Sequence, residues 1–96
     1  MKISFDPSKR EATLADRGLD FRDAIEVFAG ITFDYEDTRF DYPETRMITA
    51  GHLRGRLVIV VWTQRGDTRH IISMRKANER ERAQLAAQFG QRLGDG

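Results

Sequence analysis

A chain of 96 residues, 40% of them hydrophobic, falls near the commonest domain size, which leaves no room for a second core but lets the chain bury roughly 60–70% of its unfolded surface without staples. There is no cysteine, which excludes disulfides and thiolate metal sites, and the longest apolar run, LVIVVW at 57–62, is far shorter than the roughly 20 residues a membrane helix needs. The net charge of +1 hides an asymmetry: residues 1–48 hold 7 Lys and Arg against 11 Asp and Glu, net −4, and residues 49–96 hold 9 against 4, net +5. The second half is therefore the one suited to attract phosphate, unless folding interleaves the two. A soluble cytoplasmic protein is the expectation.

Ile3 and Phe5 alternate as a short strand, and Asp6 before Pro7 is the pattern of an N-cap followed by a first helical residue, with Gly18 as the stop. This first helix carries a thin apolar stripe, Leu14 and a few alanines, and is expected at an edge. Asp20 then caps a second helix in which Phe21, Ala24, Ile25 and Phe28 fall at i, i+3, i+4 and i+7, ending at Gly30. From Ile31 the period changes to two, with Ile31, Phe33 and Tyr35 as one face of a half-buried strand. EDTRFDYPET, 36–45, makes a polar loop.

RMITAGHL and RLVIVVWTQ, joined across Arg54-Gly55, form a hairpin whose second arm is apolar on both faces, as in a central strand. RGDT turns the chain again and RHIISMR is the last strand; Asn78 and Glu81 then stand three apart as a capping box, opening a helix with Leu85 and Phe89 on one side that ends near Gly90. The predicted class is α+β: a short N-terminal strand and two helices packed on one face of an antiparallel sheet, then a C-terminal helix, in one domain over 1–92 with a frayed tail at 93–96.

The basic residues gather in the second half. Simple alternation puts Arg69, Ile71, Ser73 and Arg75 on one face of the last strand and His70, Ile72 and Met74 on the other. Two arginines on one face can hold a phosphate bidentately, with Arg65, Lys76, Arg56 and Arg80 around them. Trp62 offers either a stacking surface for a base or plain core packing. Asp34, Glu36, Asp37, Asp41 and Glu44 lack the spacing of a calcium loop and are expected to balance arginines rather than to hold a metal. His52 and His70 stand in no recognisable triad, and no P-loop or HExxH motif occurs.

Four segments, FDP.K at 5–9, RG.DF.DA..VF at 17–28, GRLVIVVWT.RG at 55–66 and R.IISMRKANERE at 69–81, together resemble the BrnT family of type II toxin–antitoxin ribonucleases, over about residues 3 to 82. The resemblance implies a RelE-like fold and mRNA cleavage, free or on the ribosome, that inhibits translation and arrests growth. It also implies neutralisation by a ribbon-helix-helix antitoxin, BrnA, through which alone operator DNA would be bound, and it implies no cofactor. Two positions depart from many relatives: Arg17 stands where they have histidine, and Ala83, Gln84 and Leu85 follow where they have tyrosine, so neither proton-transfer role carries over.

Metal-free RNA cleavage needs a base for the 2′-OH, an acid for the leaving 5′-oxygen and cations for the charge gathering on phosphorus. The expected phosphate contacts are Arg75 and Arg69, flanked by Arg65 and Lys76; Glu44, His70 and Glu81 are the acid and base candidates; Trp62, Arg56 and Arg80 are the RNA-binding candidates. The competing expectations are a non-catalytic RNA-binding module and a pure protein-interaction module.

Overall fold

Arg56–Arg65 is the strand on which everything else packs, because its residues are apolar in both phases: Val58, Val60 and Trp62 join one buried cluster, and Leu57, Ile59 and Val61 join another. In the computed structural model, which describes the backbone of residues 1–94 and the side chains of 1–90, this is β4 of a five-stranded sheet. The elements run β1 (Lys2–Phe5), α1 (Pro7–Arg17), a 3₁₀ turn (Phe21–Asp23), α2 (Ala24–Ala29), β2 (Thr32–Glu36), β3 (Met47–Leu53), β4, β5 (Thr68–Lys76) and α3 (Glu79–Gly94). The predicted tail at 93–96 is helical as far as Gly94, so α3 runs past Gly90; residues 95–96 lie outside the described residues.

Strand order is β1-β5-β4-β3-β2. The sheet is mixed rather than antiparallel, since β1 pairs parallel with β5 after the long crossover that such pairing requires. Nor do the helices share one face. The 3₁₀ turn and α2 cover one side with Leu19, Phe21, Ala24 and Val27, whereas α3 covers the other with Leu85 and Phe89. A central strand apolar in both phases needs a cover on each side, and one layer of helices leaves half of it wet.

Local chemistry explains the ends. Asp6 accepts from the Ser8 amide at 2.9 Å ahead of Pro7, and Gly18 closes α1 at φ 69°. No residue of α1 is buried; it lies along the edge of β5 beyond the end of β1, where Arg17 donates to the Met74 carbonyl at 2.9 Å. The second helix begins as a 3₁₀ turn, which puts Phe21 and Ala24 in line at three residues per turn and brings in Val27; Ile25, expected inside, is 46% exposed. Hairpin Arg54-Gly55 has both residues at positive φ, as a type I′ turn demands, and Gly66 at φ 62° opens the next. Gly51 on β3 admits α2: a Cβ there would lie 2.8 Å from Val27 Cγ1 and 2.9 Å from Thr32 Cγ2.

Candidate functional site

The last strand is not regular. Val61 pairs with Ser73 but Trp62 pairs with Ile71, so Ile72 is an extra residue, a β-bulge that shifts the phase of the strand. Before it, Arg69 and Ile71 face α2; after it, Ser73 and Arg75 face α3. The expectation that Arg69 and Arg75 share a face is therefore corrected: the sheet separates them. Arg69 lies on the Trp62 ring at 4.1 Å and the Phe28 ring at 4.6 Å. Trp62 is 6% exposed, is met edge-on by Phe28, and donates through Nε1 to Thr49 Oγ1 at 2.8 Å, which donates on to Asp34 at 2.6 Å. Of its two expected settings, then, core packing is the one found. Lys76 also falls on the α2 face, and Arg56 starts β4 at the far end from Arg65, about 30 Å away at strand rise.

The α3 face holds the rest. Alternation from Ile59 and Val61 places Thr63, Arg65, His70, Ser73 and Arg75 there, and Tyr35 joins them from β2 opposite Ile48. Helix α3 covers only the Ala50–Leu57 end, so Val61 and Ser73 floor an open trough. One wall is the pair Arg75–Glu81, bidentate at 2.6 and 2.7 Å. Glu81 is also the far half of the capping box, accepting from the Asn78 amide at 2.9 Å while its own amide donates to Asn78 Oδ1 at 2.8 Å. Arg80, exposed, precedes it. A cleft of about 690 Å³ opens between β2 and α3 beside Tyr35 and Glu81.

The other wall is loop 37–46. Arg65 pairs with Glu44 at 3.1 Å, and Thr63 donates to the Thr45 carbonyl at 2.7 Å, pinning the loop over the trough. His70 sits between, its Nδ1 2.8 Å from Ser4 Oγ.

The electrostatics sort these groups. Arg75 holds the Glu81 carboxyl down at about 2, and Arg65 lowers that of Glu44, so both carboxylates stay ionised and are poor bases. Burial, then the charge on Arg65, lowers His70 below its ordinary value, leaving it neutral at pH 7. Desolvation raises Tyr35, with Glu81 adding to it, so the phenol keeps its proton. Among the described residues no three His, Asp or Glu side chains gather where they could hold a metal ion.

Tyr35, Ser4, Arg39 and Arg46 escaped the sequence analysis. The alternation that placed Tyr35 on a strand face carried a signal, but which neighbour would stand opposite was not local information.

Guanidinium groups, a neutral imidazole and a protonated phenol on one sheet face of a small α+β protein are groups suited to phosphodiester chemistry. The family model described as ribonuclease toxin, BrnT, of type II toxin–antitoxin systems matches residues 5–81, and the chain belongs to that family. It is accordingly a ribonuclease toxin with an antitoxin as its partner. No curated protein matches the chain.

Proposed function

We propose that the chain is a metal-independent endoribonuclease of RelE-like fold, acting in the cytoplasm, that cuts RNA in the trough on the α3 face. By cutting mRNA it inhibits translation and arrests growth, and an antitoxin of the BrnA kind neutralises it. The observation that carries this reading is one sheet face, only partly covered by α3, that holds Arg75 and Tyr35 toward one end and His70 with Arg65 toward the other.

The rows of His70 and Arg75 are those of Thr63 and Ile59 on β4, four positions or about 13 Å apart. An imidazole and a guanidinium reaching toward each other over Ser73 span that distance with a phosphodiester between them. His70 takes the 2′-OH proton at Nε2 while Nδ1 is held by Ser4. The 2′-oxygen attacks phosphorus, Arg75 stabilises the added charge, Arg65 on the far side of His70 meets a neighbouring phosphate, and Tyr35 protonates the leaving 5′-oxygen. Glu81 keeps Arg75 in place rather than moving a proton, and Glu44 does the same for Arg65. Arg69, Lys76, Trp62 and Arg56 act outside the chemical step. Arg80 stays an RNA-contact candidate at the mouth of the trough.

The test is digestion of a defined RNA by the purified chain in EDTA. Products ending in 2′,3′-cyclic phosphate and 5′-hydroxyl are expected. RNA that is retarded but uncut would mark a non-catalytic binding module, and cleavage that appears only when Mg²⁺ is restored would overturn metal independence.

A further inference from the structure

We infer that loop 37–46 is a binding subsite for a nucleobase of the RNA, in which the Phe40 ring stacks on a base one or two nucleotides from the cut while Arg46 meets the adjoining phosphate. The inference rests on the ribonuclease reading above and adds to it a contact that no motif in the sequence announces.

Loops of this length are commonly mobile, but this one is built stiff. The Asp37 carboxylate, its side chain 1% exposed, accepts from the Arg39 amide, Nε and Nη2 and from the Tyr42 hydroxyl, at 2.9 to 3.2 Å. The Asp37 amide donates to the Arg46 carbonyl at 2.8 Å, closing the two ends of the loop. Such a frame spends internal bonds on holding a shape, and what it holds out is Phe40, 68% exposed, its ring set edge-on to Tyr42 at 5.8 Å. A ring already held in place by its neighbours loses little side-chain freedom when a planar partner stacks on it, so Phe40 is preorganised for such a contact.

A second observation gives the chemistry of the ligand. The Arg46 guanidinium lies over the other aromatic of the loop, 4.1 Å from the Tyr42 centroid, and forms no salt bridge among the described residues, though its charge is felt by Glu44. Its Nε is enclosed without a hydrogen bond, while its terminal nitrogens remain open to solvent. An exposed ring beside an oriented guanidinium that no salt bridge occupies is what a base and its phosphate require, since every base has a face to stack and every nucleotide an anion. The loop encloses about 520 Å³ and adjoins the trough through Glu44 and Arg65, so a strand lying in one passes the other. A protein partner is less suited, because the guanidinium would need an acidic side chain placed just so, whereas RNA presents an anion at every step.

Phe40→Ala removes a surface ring and leaves the Asp37 frame untouched. Binding of a short 2′-O-methyl single-stranded RNA, which cannot be cut, should weaken roughly 5- to 150-fold. An oligomer of abasic sugar-phosphate should bind both proteins alike. Phe40→Trp should retain affinity and place an exposed indole, distinct from buried Trp62, whose emission the 2′-O-methyl RNA quenches. Unchanged RNA affinity in Phe40→Ala, or an unquenched Phe40→Trp, overturns the subsite even if the wild type cleaves RNA. So does a Phe40→Ala protein that binds RNA normally but has lost its antitoxin, since the loop would then be a protein-docking surface. Quenching with no cleavage of natural RNA sinks the nuclease reading and leaves the subsite standing.

Discussion

Arg69 and Arg75 are six positions apart and lie on opposite sides of the sheet, and the two substitutions should behave accordingly. Arg75→Ala removes a donor preorganised toward the trough; RNA cleavage should fall on the order of 10²- to 10³-fold. Its melting temperature should drop little, because Glu81 remains bonded to Asn78 within the capping box. Arg69→Ala should instead lose about 0.5–2 kcal/mol of stability, the scale of a guanidinium on an aromatic face, with kcat unchanged. Denaturant melts and single-turnover cleavage on the same samples read both, and equal losses of cleavage would mean that the bulge does not divide the site. The pH profile belongs at this scale too. A base works unprotonated, and burial lowers His70 from its ordinary 6.5, so the rate should hold at pH 7 and decline only below that ordinary value. His70→Gln should abolish that acid limb as well as slow the reaction.

At the scale of elements, what separates those arginines is one unpaired residue. Period-two alternation predicts a continuous face along β5, and the prediction fails at Ile72 because nothing in RHIISMR differs from a regular strand. Bulges form where twist and partner register demand an extra residue, which only the neighbouring strand can impose. By contrast, Asp6-Pro7, Gly18, Arg54-Gly55 and the Asn78–Glu81 box were legible, since each satisfies its own backbone within a few residues. Gly51 lies between these cases: its glycine was visible, its purpose was not. Gly51→Ala would press a methyl against Val27 and Thr32, two β-branched side chains with little room to turn, and should cost about 1–3 kcal/mol in urea melts. A neutral result there would mean that α2 shifts freely over β3.

Over the whole molecule, the excess positive charge of the second half does not survive as a bare patch. Folding pairs Arg65 with Glu44 from the acidic loop, and Arg54 with Asp23 and Glu26 from α2 and its approach, so the halves interleave. The positive face is instead specified by which cations are fixed beside the trough. These pairs also link stability to pH. Glu81 and Asp20 both have carboxyl groups lowered to about 2 by arginine partners, so the unfolded chain binds protons first as the solution is acidified. Stability should be fully present above about pH 4.5 and fall as pH drops toward 2, and Asp37, held lower still by Arg39, carries the loss on below that. Glu81→Gln should flatten part of that slope, measured as the urea midpoint across the range.

Composition and local pattern alone determined the caps, the turns, a central strand apolar in both phases, and the family to which the four quoted segments belong. Those features depend on residues within a turn of one another, or on residue type itself. Which faces α2 and α3 would cover, the parallel place of β1 beside β5, the phase of β5 after its bulge, and hence which cations share a surface, were decided only by the folded chain. Side-chain direction in a sheet reverses with every residue, so one extra residue set by a distant partner reverses everything after it.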